Sequence, residues 1–375
     1  MPYAAGVSRS SVVSIEVEPL SIPLREPFVI ATGRIDTTRA ALVRATLEDE
    51  RGRRATGLGE AAALPPVTRE DQPELLAAIA AAAPALRGAA VAGVDDVATV
   101  VGGALPGSSI ARAGVEAAIL DGWARLTGRP LFAALGAAAG AGTPAATELI
   151  TDITLPISDP ERMAAGAAAH RRAGFTCFKV KVGRDWHADL ASLRAVAASV
   201  PDASFRLDAN AGFAPREALA LVRAALADGL HVECYEQPCA ADDLAGMAEV
   251  AAGSPVPVVA DESFRSAADL DRLLAARAAQ AVNLKLGKLG GPLATLALAR
   301  RARAAGLRLM AGAMVETRVG LLAMAHVVAA LGGVDWVDLD TAFLLAADPF
   351  DGGWTFDGPR LRIAADPGLG VTSTR

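Results

Sequence analysis

Between residues 181 and 285 of this chain, chemically capable residues recur at intervals of roughly 25, about the length of one strand–helix unit. They are Lys181, Asp208, Glu236, Asp261 and Lys285. Each lies at the end of a short apolar or β-branched run: Phe178-Lys-Val-Lys-Val, Leu207-Asp-Ala-Asn, Tyr235-Glu-Gln-Pro, Ala260-Asp-Glu-Ser and Asn283-Leu-Lys-Leu. A lone carboxylate at a strand end commonly caps the next helix. Three at one height on successive strands repel one another, and burial would raise their pKa values unless a cation shared them. All-oxygen ligation by Asp208, Glu236 and Asp261 suits one Mg²⁺.

Lys181 and Lys285 flank this trio on the second and sixth runs, which an eight-stranded ring places opposite each other. Strand alternation puts Lys179 on the same face as Lys181, and the like-charge pair should lower one ammonium pKa. A base and an acid on opposite sides of a bound carbon centre are what its inversion by proton transfer requires.

The elements that must position these groups follow from the hydrophobic pattern. Eight runs lie near 147–155, 175–182, 204–209, 231–236, 256–260, 281–286, 307–314 and 334–339. Alanine-, leucine- and arginine-rich helical segments separate them, so a parallel (β/α) barrel is expected over 131–344. Upstream, Val12–Glu18 and Ala40–Leu47 read as strands, Glu26–Thr38 as a loop and 68–127 as helical. This predicts an α+β N-terminal domain over 1–130, completed by 345–375.

Composition narrows the class. Of the 375 residues, 52% are hydrophobic and 21% charged, enough for a large core. The net charge of −6 argues against nucleic-acid binding. No apolar run is long enough to span a bilayer, and Met1–Val13 lacks the features of a secretory leader. A cytoplasmic homo-oligomer is expected. Cys177, Cys234 and Cys239 are too few for a disulfide framework, and the four histidines have no metal-ligand spacing. Lys288 reads as surface, and Gly287, Gly290 and Gly291 as a loop without Walker spacing.

The motif set resembles the muconate-lactonizing-enzyme subgroup of the enolase superfamily along nearly the whole chain. That resemblance implies a modified (β/α)₇β TIM-type barrel with an α+β capping domain and one Mg²⁺ on Asp208, Glu236 and Asp261. It also implies Lys181 and Lys285 as the acid/base pair, with Lys179 touching the substrate carboxylate. Val337-Asp-Leu-Asp-Thr resembles the Asp-x-Asp of the dipeptide epimerases, in which Asp338 and Asp340 would hold a dipeptide's α-ammonium. Thr154, Asn210 and Met314 match substrate contacts, and Arg34 stands near the position that reads a glutamate side chain. The expected reaction is inversion of the C-terminal residue's α-carbon through a metal-stabilised enediolate. The alternative is an N-acylamino-acid racemase or o-succinylbenzoate synthase of the same subgroup.

Overall fold

The computed structural model describes residues 9–138 and 147–374; the first eight residues of the N-terminal stretch lie outside it. All eight expected runs form parallel strands of one sheet in sequence order. They are Ile153–Leu155, Cys177–Lys181, Ser204–Asp208, His231–Glu236, Val258–Ala260, Ala281–Leu284, Arg308–Ala311 and Trp336–Val337. A parallel bridge between Thr151 and Val337, with the Asp152 N–H donating to Val337 O at 3.2 Å, joins the first strand to the eighth and closes the ring.

Seven crossovers carry α-helices, whereas the eighth strand leads into a 3₁₀ turn, Thr341–Leu344. That is the (β/α)₇β arrangement. The helices follow their sequence pattern. Pro215–Ala227 begins on a proline and buries Ala218, Leu221, Val222 and Ala225, one apolar stripe of period 3.6. Asp159, Asp185, Asp243 and Ser266 each cap the helix that follows them.

The N-terminal domain pairs Ser10–Leu20 with Arg39–Asp49, and that strand with Arg54–Ala63, all antiparallel. The third of these escaped the sequence reading because its residues are small. The helix Ser109–Thr127 packs directly on it, and a Cβ on Gly57 or Gly59 would fall 2.1 or 2.0 Å from the helix carbonyls of Ala118 and Gly114.

The expected loop Glu26–Thr38 is instead mostly a hairpin of Pro23–Ile30 and Gly33–Thr37. Its register pairs Phe28 with Ile35, Val29 with Arg34 and Ile30 with Gly33. Phe28, Ile30 and Ile35 are buried, so the inward face is apolar.

Two attachments fix this domain over the C-terminal ends of the barrel strands. Glu60 accepts hydrogen bonds from Thr317 N (3.0 Å), Thr317 Oγ1 (2.5 Å) and Gly320 N (3.1 Å), capping the barrel helix Arg318–Leu331 from across the interface. The hairpin is stitched by Ile157 N–H to Val29 O and by Arg184 to Ile30 O.

The C-terminal segment touches both parts. Arg360–Ile363 pairs with Glu148–Ile150 at the barrel's start. Leu369 N donates to Asp121, and Arg125 to Val371 O, in the N-terminal domain.

Candidate active site

The strand ends converge on one buried cavity. It is lined from the barrel by Lys179, Lys181, Lys285, Asn210, Asp338 and Asp340, among others, and from above by the N-terminal domain. Lys181 and Lys285 come from opposed positions in the ring, Lys181 ending strand two and Lys285 directly following strand six.

The three predicted ligand acids share one pattern. Each has one oxygen held by a fixed donor, while the other meets a lysine ammonium. Asp208 Oδ1 accepts the Asn210 N–H at 3.0 Å, while Oδ2 lies 2.6 Å from Lys181 Nζ and 3.0 Å from Lys179 Nζ. Glu236 Oε1 accepts from Asn283 Nδ2 at 2.6 Å, while Oε2 lies 2.7 Å from Lys179 Nζ. That contact lacks hydrogen-bond geometry, leaving Glu236 Oε2 buried without a donor. Asp261 Oδ1 is held by Lys288, while Oδ2 receives Lys285 at 2.8 Å. Three oriented carboxylate oxygens thus face positive charge, and the donor set fits a divalent cation. Burial, and then the charges of Asp208 and Asp261, push Glu236 up to about 7, a crowding that such an ion would relieve.

Several expectations are corrected here. Lys288 is buried, not surface. It donates to Asp261 O (2.6 Å), Asp261 Oδ1 and Asn283 O (3.2 Å), which satisfies its three donors. Of the Lys179 and Lys181 pair, Lys179 is raised. Burial disfavours its charge, but Asp208, Asp338 and Glu236 outweigh that and hold it well above the lysine range. Lys285 is likewise raised, burial being outweighed by Asp261 and Glu236.

Arg34 is not in the cavity. The hairpin register turns it to the outer face with Val29, where it pairs with Asp36 at 2.9 Å and its side chain is 62% exposed.

Asp338 and Asp340 lie beyond the eighth strand, which ends at Val337, so alternation along that strand does not orient them. Both nevertheless line the cavity. Asp338 Oδ2 is 2.7 Å from Lys179 Nζ, and Asp340 Oδ2 accepts the Thr154 N–H at 2.6 Å. Asp338 is thus already compensated within the protein: against burial, Lys179 holds it below the usual range. Burial and the charge of Asp338 push Asp340 up to about 7.

Sequence reading also missed Asp152, Glu262 and Gln237. The carboxylates of Asp152, Asp338 and Asp340 all lie within 4.8 Å of one another, a tight acid cluster distinct from the predicted ligand trio. Arg206 reaches Asp152 at 2.9 Å. Two-residue spacing from Thr154 could have flagged Asp152 as sharing its face. Glu262 is buried and accepts from Asn210 Nδ2 at 3.2 Å. Gln237 accepts the N–H groups of Asp261 and Ser263, tying the fourth strand's end to the fifth's. Met314 is buried and borders both the central cavity and a neighbouring one of about 710 Å³.

Comparison with known proteins gives a consistent answer. The mandelate racemase / muconate lactonizing enzyme N-terminal domain matches residues 12–136, and the enolase C-terminal domain-like family matches 162–375. The L-Ala-D/L-Glu epimerase of Bacillus subtilis is 34% identical over 96% of both chains. The aromatic dipeptide epimerase of Herpetosiphon aurantiacus is 37% identical over 96% of this chain and 99% of that one. Among solved structures, a dipeptide epimerase from Enterococcus faecalis complexed with Mg and L-Leu-L-Tyr superposes with a TM-score of 0.86 at 30% identity, covering 96% of this chain and 99% of that one.

Proposed function

We propose that this chain, which belongs to the mandelate racemase / muconate lactonizing enzyme family of the enolase superfamily, inverts the α-carbon of the C-terminal residue of a dipeptide. It is an isomerase of that superfamily. The observation that carries the substrate class is the pairing of two features in one cavity. Lys181 and Lys285 enter from opposed strands, and Asp338 and Asp340 stand at the end of the eighth.

Asp208, Glu236 and Asp261 would hold one Mg²⁺, with Asn210, Asn283 and Lys288 fixing their other oxygens. When bound, the ion supplies positive charge that holds a terminal carboxylate and stabilises negative charge developing beside it. The chain's own groups do the rest. One of Lys181 and Lys285, as the free amine, takes the α-proton from its side. The other, as the ammonium, returns a proton to the opposite face. Asp338 and Asp340 receive the substrate's α-ammonium and fix which carbon lies between the lysines. Buried Asp340 Oδ1 has no donor of its own and is available to that ammonium.

Incubating L,L-dipeptides in D₂O and following the C-terminal α-proton by NMR tests this directly. Exchange with accumulation of the L,D-diastereomer is expected. Turnover of N-acylated amino acids ahead of every free dipeptide would overturn it.

A further inference from the structure

We infer that the epimerised residue has an apolar side chain, and that Phe28, Ile30, Leu64 and Val67 select it. This rests on the dipeptide-epimerase reading above and names its substrate more narrowly.

The α-carbon has four substituents, and three are already assigned. The hydrogen faces a lysine, the carboxylate faces the acid trio, and the peptide nitrogen leads toward Asp338 and Asp340. The side chain takes the remaining direction, out of the barrel and toward the N-terminal domain. Every charged residue lining the central cavity comes from the barrel. Among the described residues, the N-terminal domain contributes Phe28, Ile30, Leu64 and Val67 to that lining, none of which carries a polar side-chain atom. Phe28 lies with its ring centroid 5.8 Å from Lys181 Nζ, so this apolar wall begins beside one of the two proton-transferring groups.

The wall is held in place. Phe28 and Ile30 share the inward hairpin face with Ile35. The hairpin is pinned at Val29 O and Ile30 O, and its start is pinned by Arg25 Nε and Ala346 N–H to Leu345 O and Pro23 O. The same register sends Arg34 outward onto Asp36. A glutamate side chain would therefore bring its carboxylate against four apolar side chains, with no cation of this domain in the central cavity's lining.

The neighbouring cavity does hold cations. These are Arg69, Arg265, Arg272 and Lys288, none of which lines the central cavity; Val67 and Met314 border both spaces, the Lys288 ammonium is saturated, and Arg272 is paired with Asp269. A leucine or phenylalanine side chain instead exchanges water for apolar contact, at about tenfold in affinity for every two methylenes buried.

The test uses L-Ala-L-Xaa dipeptides with Xaa Leu, Phe, Glu or Lys, each with a free and an N-acetylated amino group. The readout is α-proton exchange at Xaa in D₂O. Leu or Phe should exceed Glu and Lys by 10²-fold or more in kcat/KM. Glu or Lys equal to or ahead of the apolar residues would overturn the inference while leaving the dipeptide reading intact. Preference for the N-acetylated series, with Leu still ahead of Glu, would do the reverse.

Ile30→Arg should raise Glu relative to Leu by at least tenfold. Val67→Lys, at a half-buried position that tolerates a long polar side chain more readily, should do the same. Neither variant moving the ratio would count against these residues as the selectors.

Discussion

Lys179 and Asp338 form a buried ion pair of 2.7 Å that joins the second strand of the barrel to the end of the eighth. The same ammonium touches Asp208 and Glu236, so one lysine links the acid trio to the acids proposed to hold the substrate's amino group. An incoming α-ammonium must share Asp338 with Lys179, whereas Asp340 Oδ1 is free. Charge-assisted hydrogen bonds of this kind are worth about 1.5–3 kcal/mol each. Acetylating the dipeptide's amino group should therefore lower kcat/KM by roughly 10²-fold or more, about 3 kcal/mol. Asp338→Asn combined with Asp340→Asn should narrow that gap by harming the free dipeptide selectively. An undiminished gap in the double variant would show that these acids do not read the amino group.

Removal of the metal should abolish turnover. Asp208, Glu236 and Asp261 each turn one carboxylate oxygen toward the lysines of the same cavity, and these acids are the set that would hold the ion. Treatment with EDTA should eliminate exchange, and Mg²⁺ should restore it. Asp208→Asn and Glu236→Gln should each weaken Mg²⁺ binding, measured by calorimetric titration. Full exchange after rigorous chelation would remove the metal from the mechanism.

What was legible in the sequence was whatever repeats once per strand–helix unit. The barrel, its eight strands and the heights of Lys181, Asp208, Glu236, Asp261 and Lys285 all follow from that period. Side chains fixed by contacts between distant segments were not legible. Lys288 sits one helical turn past Lys285, a spacing that suits a solvated position equally well, yet the turn Leu286–Leu289 folds it back onto Asp261. Arg34 depends on hairpin register, where a slip of one residue exchanges the inward and outward faces. Arg54–Ala63 lacks the usual strand residues because a helix presses on it too closely for larger ones.

His326 gives a pH prediction separate from the chemistry. It is fully buried, its Nδ1 accepts the Phe132 N–H at 3.0 Å, and burial pushes its pKa down to about 3. In the unfolded chain it titrates near 6.5, so below that value the unfolded state binds the extra proton. The stabilisation is fully present above pH 6.5 and is lost progressively toward pH 3. Between pH 6.5 and 4 the loss is about 3 kcal/mol. His326→Gln keeps an acceptor for Phe132 but cannot titrate. Denaturant unfolding at several pH values should show a shallower acid limb in this variant, and parallel limbs would refute the assignment.

The lysine pair admits the sharpest test, because each lysine serves one face of the substrate. Lys181 ends the second strand and Lys285 follows the sixth, on opposed sides of the ring, so a carbon between them presents its proton to one lysine in the L,L-isomer and to the other in the L,D-isomer. Lys181→Ala and Lys285→Ala should each abolish epimerisation, with losses of at least about 10²–10⁴-fold, the range for a positioned acid–base group. Neither variant needs to lose all exchange. The surviving lysine can still remove and return the proton on its own side, so each variant should wash deuterium into one diastereomer only, and the two variants into opposite ones. This complementarity separates proton transfer from a merely electrostatic role, since removing a charge would slow both isomers alike. Lys179→Ala supplies the contrast: its ammonium bridges acids, so its loss should impair both isomers together. Normal exchange of both isomers in both Lys181→Ala and Lys285→Ala would end the two-base reading.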